Sequence, residues 1–101
     1  MTISAVEMAV PNAERVMMAE DTLSVDLSDG RTISAPLAWF PRLLHATQAE
    51  KENWKLIGKG QGIHWDNIDE DISVEGLLAG RRSGESQASF NKWLEQRSAR
   101  R

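Results

Sequence analysis

Five carboxylates crowd one short stretch of this chain: Asp66, Asp69, Glu70, Asp71 and Glu75, with His64 two places ahead of the first. A hard cation such as magnesium needs several oxygen ligands around one point, and an imidazole could join them. The spacing matches no calcium loop, however, and adjacent residues of a strand point to opposite faces. Some of the acids also sit just before or within the start of a helix that Ser73 would cap, where the helix dipole favours negative charge. Capping and surface charge therefore rank first for this cluster, a partner-binding acidic patch second and a metal site third. Histidine as a residue type titrates near neutrality, so His45 and His64 are the candidates for acid–base work. Such work also needs a nucleophile or a paired carboxylate fixed within reach. Ser28, Ser34 and Ser73 fall at turn, strand and cap positions, and none lies in a nucleophile-elbow pattern. Gly58-Lys59-Gly60-Gln61-Gly62 has the look of a phosphate cradle but lacks the Gly-Lys-Ser/Thr ending, and no long helix follows it. It reads as a flexible hairpin loop. An enzyme ranks low, and no cofactor is expected.

The tryptophans and arginines suggest association instead. Trp39, Trp54, Trp65 and Trp93 are many for 101 residues. Trp54 and Trp65 read as core, where a small domain uses large rings. Trp39 and Phe40 are neighbours and cannot both point inward on an extended chain, so Trp39 divides evenly between core and interface. Trp93, near Lys92 and Arg97, suits a helix-in-groove contact, packing onto its own chain or packing onto a second copy. Net charge is −3, unevenly spread. Residues 1–80 hold six Lys/Arg and thirteen Asp/Glu, net −7; residues 81–101 hold six and two, net +4. An acidic body with a basic tail follows. Arg81, Arg82, Arg97, Arg100 and Arg101 are the candidates for phosphate contact. No recognition-helix motif or aromatic-interleaved basic surface accompanies them, which argues against sequence-specific readout. A solvated terminal helix ranks ahead of nucleic-acid binding for this tail.

The elements that must position these groups are short. The length suits one domain, divided as an α+β body over 1–80 and a basic linker and helix over 81–101. The hydrophobic fraction of 41% and charged fraction of 27% are those of a globular protein. The absence of cysteine excludes disulfides, thiolate catalysis and cysteine zinc sites. No apolar run is long enough to span a bilayer and no secretory pattern opens the chain, so a cytoplasmic location without membrane contact is expected. Ile3 to Val10 reads as a first strand, stopped by Pro11-Asn12. Arg15 to Ala19 reads weakly as a second, because Met and Ala favour helix. Leu23-Ser24-Val25-Asp26-Leu27 alternates cleanly, Asp29-Gly30 supplies a tight turn, and Arg31 to Ala35 returns. The sheet should end near Pro36, and Pro41 suits the first turn of a short helix carrying Leu43 and Leu44 inward. Thr47-Gln48-Ala49-Glu50 is a capping box. It opens a helix to about Trp54, with Ala46, Ala49 and Trp54 facing the core. Leu56-Ile57 and Ile63-His64-Trp65 are short strands. Ser73 caps a helix with Leu77 and Leu78, ended by Gly80. Arg81 to Gln87 reads as a linker. Ser86 to Arg97 forms a last helix with a narrow stripe of Phe90, Trp93 and Leu94. The fold class is α+β: a small antiparallel, hairpin-based sheet with short helices and a C-terminal helix.

From Leu27 to Gly80 the chain resembles a widespread bacterial family known as domain of unknown function 2442. The resemblance lies in Ser28-Asp29-Gly30-Arg31, the Pro36-Leu37 exit, Trp39-Phe40-Pro41-Arg42-Leu43, Trp54, Gly62-Ile63-His64-Trp65, and Asp69-Glu70-Asp71-Ile72-Ser73 leading into Val74-Glu75-Gly76-Leu77-Leu78. It implies a small α+β fold and no established activity. It also implies an accessory role: some relatives precede a helix-turn-helix domain, and others accompany small partner proteins in arrangements like toxin–antitoxin pairs. Here the residues after Gly80 are too few for a complete helix-turn-helix domain. The leading expectation is a non-enzymatic protein-interaction module, antitoxin-like, that docks a small partner protein or a second copy through Trp39, Arg42, Asp66, Asp69, Asp71 and Trp93. A dimeric DNA-associated regulator using the tail comes second, and a metal-dependent enzyme using His64 and the acids third.

Overall fold

The computed structural model describes residues 10–99. Two three-stranded antiparallel sheets follow one another along the chain. The first is a meander of β1 (Ala13–Met18), β2 (Thr22–Leu27) and β3 (Thr32–Pro36) in that spatial order. In β2 the alternation acts as expected: Leu23, Val25 and Leu27 are buried, and the residues between them are only partly so. The turn after it holds Gly30 at φ +92°, a conformation that costs glycine nothing. Asp29 fixes this turn by accepting from the Arg31 backbone N–H at 3.1 Å and from Arg31 Nε at 2.9 Å. The weakly read β1 is a strand with a register shift between Ala13 and Arg15. This bulge lets both Ala13 and Val16 face the core, which breaks the two-residue period. The strand expected over Ile3–Val10 lies outside the described residues except for Val10, which is exposed and in no strand.

Pro36 ends the sheet, and a 3-10 turn (Leu37–Trp39) leads into α1 (Pro41–Leu44), with Pro41 in its first turn. Leu37, Phe40 and Leu43 are buried, while Leu44 is exposed. α2 (Gln48–Glu52) opens with the expected capping box: Glu50 N–H donates to Thr47 Oγ1 at 3.1 Å, and Thr47 N–H donates to Glu50 Oε1 at 2.8 Å. This helix stops before Trp54, which instead begins β4 (Trp54–Ile57), and Ala49 faces solvent. Strand pairing wins there, because Trp54 lies opposite Trp65 of β5 (Gly62–Trp65). The glycine-rich segment between them is a tight 3-10 turn. A Cβ at Gly60 would lie 2.9 Å from the Ala13 carbonyl oxygen, so glycine is required where this turn meets β1.

The second sheet runs β4, β5, β6 (Glu70–Ser73). β6 is not among the elements expected from the sequence, which places its acids just before or within the start of a helix. Ser73 ends this strand and caps α3 (Val74–Leu78), its Oγ accepting from Gly76 N–H at 2.9 Å. A single core joins Leu23, Val25 and Leu27 to Ile63, Trp65 and Ile72, with Val74 and Leu77 from α3. Trp65 is fully buried, and its Nε1–H donates to the Lys51 carbonyl at 3.0 Å, so the ring carries no orphaned donor. The last helix, α4 (Gln87–Ala99), contributes Phe90 and Trp93 to this same core. Among the described residues no helix is long and apolar enough to cross a membrane.

Candidate functional site

Arg42 gathers more of the molecule than any other polar side chain described. α1 points it toward the turn between β5 and β6, where its Nη1 donates to the Ile68 carbonyl at 2.8 Å. Its Nε and Nη2 grip Glu85 at 2.9 and 2.5 Å, and its guanidinium carbon sits 5.2 Å from the centre of the Trp93 ring. Both partners of the ion pair are mostly covered, so the fork is stronger than a surface pair. The pairing holds the Glu85 carboxyl below the usual range and raises Arg42 above its own. Ser83 N–H adds a bond to the Trp39 carbonyl at 2.9 Å. The segment expected to be a linker is thus a strap fastened across the body. Its sequence is polar because its anchors are polar.

A second clasp lies further along α4. Arg97 donates through Nη1 and Nη2 to the two carboxyl oxygens of Glu50, at 3.0 and 2.8 Å, and stacks over Trp93 at 4.5 Å. Arg97, with the Thr47 backbone bond, holds Glu50 down to about 2 despite its partial burial. Trp93 is therefore buried, has two guanidinium groups over its ring and stacks on Phe90 at 5.8 Å. That geometry places the ring inside the chain and away from a free docking face, and Arg97 faces a carboxylate. Arg82 is exposed and lies 5.0 Å over the half-buried Trp39 ring, and Arg81 is exposed. Arg100 and Arg101 lie outside the described residues.

His64 is held on both sides. Nδ1 meets Asp71 Oδ1 at 2.5 Å and Nε2 meets Asp66 Oδ1 at 2.7 Å, while Lys55 Nζ stands 3.3 Å from the other Asp66 oxygen. The Asp71 hydrogen bond, aided by both acids' charge, raises the imidazole above its ordinary range. Lys55 does most to lower Asp66. The two carboxylates address opposite ring nitrogens, so they do not converge with the ring on one point. Among the described residues no group of three such side chains could hold a metal ion. Asp69 takes φ +52° in the turn and stays exposed. His45 Nδ1 lies 3.0 Å from the Pro41 carbonyl, and its ring meets Phe90 edge-on.

Glu70 is the member of the acidic cluster that stands apart. It pairs across the sheet with Trp65 and lies two residues from the buried Ile72, so its side chain faces inward and is 9% exposed. Burial pushes its carboxyl up to about 7, against the opposing pull of Arg42. The signal for it was in the sequence: counting back by two from Ile72 puts Glu70 on the core face. Glu85 gave no such signal, because its partner is 43 residues away.

A small α+β module with its C-terminal segment clasped to the body by part-buried arginine forks is the class of protein that this geometry defines. Residues 13–83 match the family described as "Protein of unknown function (DUF2442)", and the chain belongs to that family. No curated protein sequence matches it. The fold is similar to a crystal structure of a protein of unknown function from Rhodospirillum rubrum, with a TM-score of 0.63 and 29% identity over 77% of this chain and 94% of the other. It is also similar to the solution structure of an uncharacterised protein from Chromobacterium violaceum, with a TM-score of 0.63 and 22% identity over 94% of this chain and 82% of the other.

Proposed function

We propose that this chain is a non-enzymatic protein-interaction module that binds a small basic partner, in the manner of an antitoxin. The observation that supports this is the exposed acidic arc of Asp66, Asp69, Asp71 and Glu75 across the β5–β6 turn, β6 and α3. Asp69 and Glu75 make no ion pair among the described residues. The arc leaves negative charge facing water beside a rigid, capped strand–helix junction. Such a surface steers a cationic partner and sets the register of its docking. A DNA-contacting dimer is the weaker reading, since Arg97 is held by Glu50 and Arg82 covers Trp39. The test is affinity purification of the tagged chain from its native host, with light scattering on the eluate. A stoichiometric small basic protein is expected, released by moderate salt and lost from an Asp69→Asn/Glu75→Gln variant. If nothing co-purifies and the product of the adjacent gene is harmless when expressed alone, the reading is wrong.

A further inference from the structure

The clasp around Arg42 leaves one buried acid over. Glu70 makes no hydrogen bond or ion pair among the described residues, and only burial and more distant charges act on it. No described side-chain nitrogen or oxygen that is sealed from solvent lacks a partner. The Glu70 carboxyl must therefore open into a hollow, and it lines two that adjoin along the strap. One, of ≈ 260 Å³, is walled by Arg42, Asp69, Glu70, Ser83, Gly84 and Glu85. The other, of ≈ 200 Å³, shares Glu70, Ser83 and Gly84 with it and adds the apolar sides of Phe40, Ile72 and Leu77, with Arg81 and Arg82 at the strap.

The first hollow holds three carboxylates and one guanidinium. That guanidinium has Nε and Nη2 on Glu85 and Nη1 on the Ile68 carbonyl, so its hydrogen bonds go to Glu85 and the backbone. Asp69 and Glu70 feel its charge at a distance but are hydrogen-bonded to no cation, and for Glu70 burial outweighs that pull. A carboxylate withdrawn from water without a partner is costly, and an N–H-bearing cation removes that cost. Among the described residues no three His, Asp or Glu side chains converge to ligate a metal. The volume is below the roughly 300–1,000 Å³ of sites for drug-sized ligands. We propose that this hollow is a binding site for a monovalent organic cation, a guanidinium or primary ammonium on an aliphatic stem, with the Glu70 carboxylate as its anchor and Asp69 as its outer carboxylate. The stem lies toward Phe40, Ile72 and Leu77. The source is either a free small amine or a Lys or Arg side chain of a bound protein; the second alternative rests on the interaction reading above.

An NMR titration of the full chain with L-argininamide at about pH 8 tests the site. Saturable shifts are expected at residues 69–71 and 83–85. They should weaken about tenfold or more at about pH 5.5 and in Glu70→Gln, because both remove the anchoring charge. Tetramethylammonium, which has the charge without N–H donors, should leave the spectrum unchanged. A Gly-Arg-Gly peptide amide that binds about tenfold tighter than argininamide assigns the site to a partner's side chain, and equal affinities assign it to a free cation. The proposal is overturned if neither probe saturates at about pH 8, if the response survives in Glu70→Gln, or if tetramethylammonium binds equally well. A partner captured equally by wild type and Glu70→Gln, without argininamide shifts, overturns the site and leaves the interaction reading intact. Argininamide shifts with no captured partner do the reverse.

Discussion

Glu70→Gln should stabilise this protein, and only above acidic pH. The native carboxyl is raised from 4.5 to about 7 because burial disfavours its charge. In the unfolded chain it ionises near its ordinary value. Between these two points the unfolded state has released a proton that the folded state retains, so stability falls as pH rises through the window. At about 1.4 kcal/mol per pKa unit, a rise of this size caps the loss at roughly 3 kcal/mol. The hollow beside Glu70 gives the carboxyl some contact with water, which brings the expected figure to about 1–3 kcal/mol. Glutamine keeps the shape and removes the charge. Urea unfolding followed by tryptophan fluorescence should give equal stabilities for wild type and variant near pH 4. At about pH 8 the variant should lead by about 1–3 kcal/mol. The difference between the two proteins isolates Glu70, since His64 is also raised and also loses its contribution as pH rises. If the difference is constant across this range, or if the variant is weaker throughout, Glu70 is not the buried, unpartnered acid described here.

Truncating Arg42 to alanine leaves Glu85 unpaired against the body and frees the Ile68 carbonyl; the expected cost is about 2–4 kcal/mol by urea unfolding, with hydrogen exchange rising along the strap at 81–85. Glu50→Gln should cost about 1–2 kcal/mol at neutral pH. Its contribution, present above the ordinary carboxyl pKa, should vanish as pH falls toward about 2, so wild type and variant converge in acid. Gly60→Ala should lose about 2 kcal/mol or more, because a Cβ there meets the Ala13 carbonyl at 2.9 Å and the backbone is left-handed at φ +87°. A thermal melt within a degree of wild type would contradict the close packing of the turn on β1.

Local rules made part of this architecture legible. The β2–β3 hairpin, the Pro41 helix, the Thr47 capping box and the Ser73 cap each depend on residues within a few positions of one another, and each forms where those residues stand. β1 was obscured because a bulge spoils its alternation. β6 was obscured because three acids in a row suggest surface, although only the alternate positions 69 and 71 are exposed. Trp54 reads as the end of a helix because nothing local carries the Leu56-Ile57 strand back to it; that extension exists by pairing with Trp65. The candidate site divides in the same way. Asp71 lies opposite His64 in the β5–β6 register, and Asp66, two residues beyond His64, meets its other ring nitrogen. The forks from Arg42 to Glu85 and from Arg97 to Glu50 span 43 and 47 residues, and no spacing rule reaches so far.

The charge asymmetry along the chain has two consequences in the folded molecule. Part of it is spent internally: Arg97 meets Glu50, and Arg82 and Arg97 cover tryptophan rings. A tail of opposite charge to its body docks on it for the reason that any two complementary surfaces dock, and stacked arginines add cation–π attraction where water is partly excluded. What remains is an acid-rich edge at β6 and α3 with one carboxyl turned inward and unpartnered. Docking the tail does not neutralise that edge, because Arg42 is committed to Glu85 of the strap itself. A chain under selection for stability alone gains by exchanging Glu70 for a neutral residue, since the buried charge weakens the fold at neutral pH. The carboxyl is useful where a cation arrives to meet it. The stability gained by Glu70→Gln and the cation binding lost by it are therefore two readouts of one group, and they should appear together.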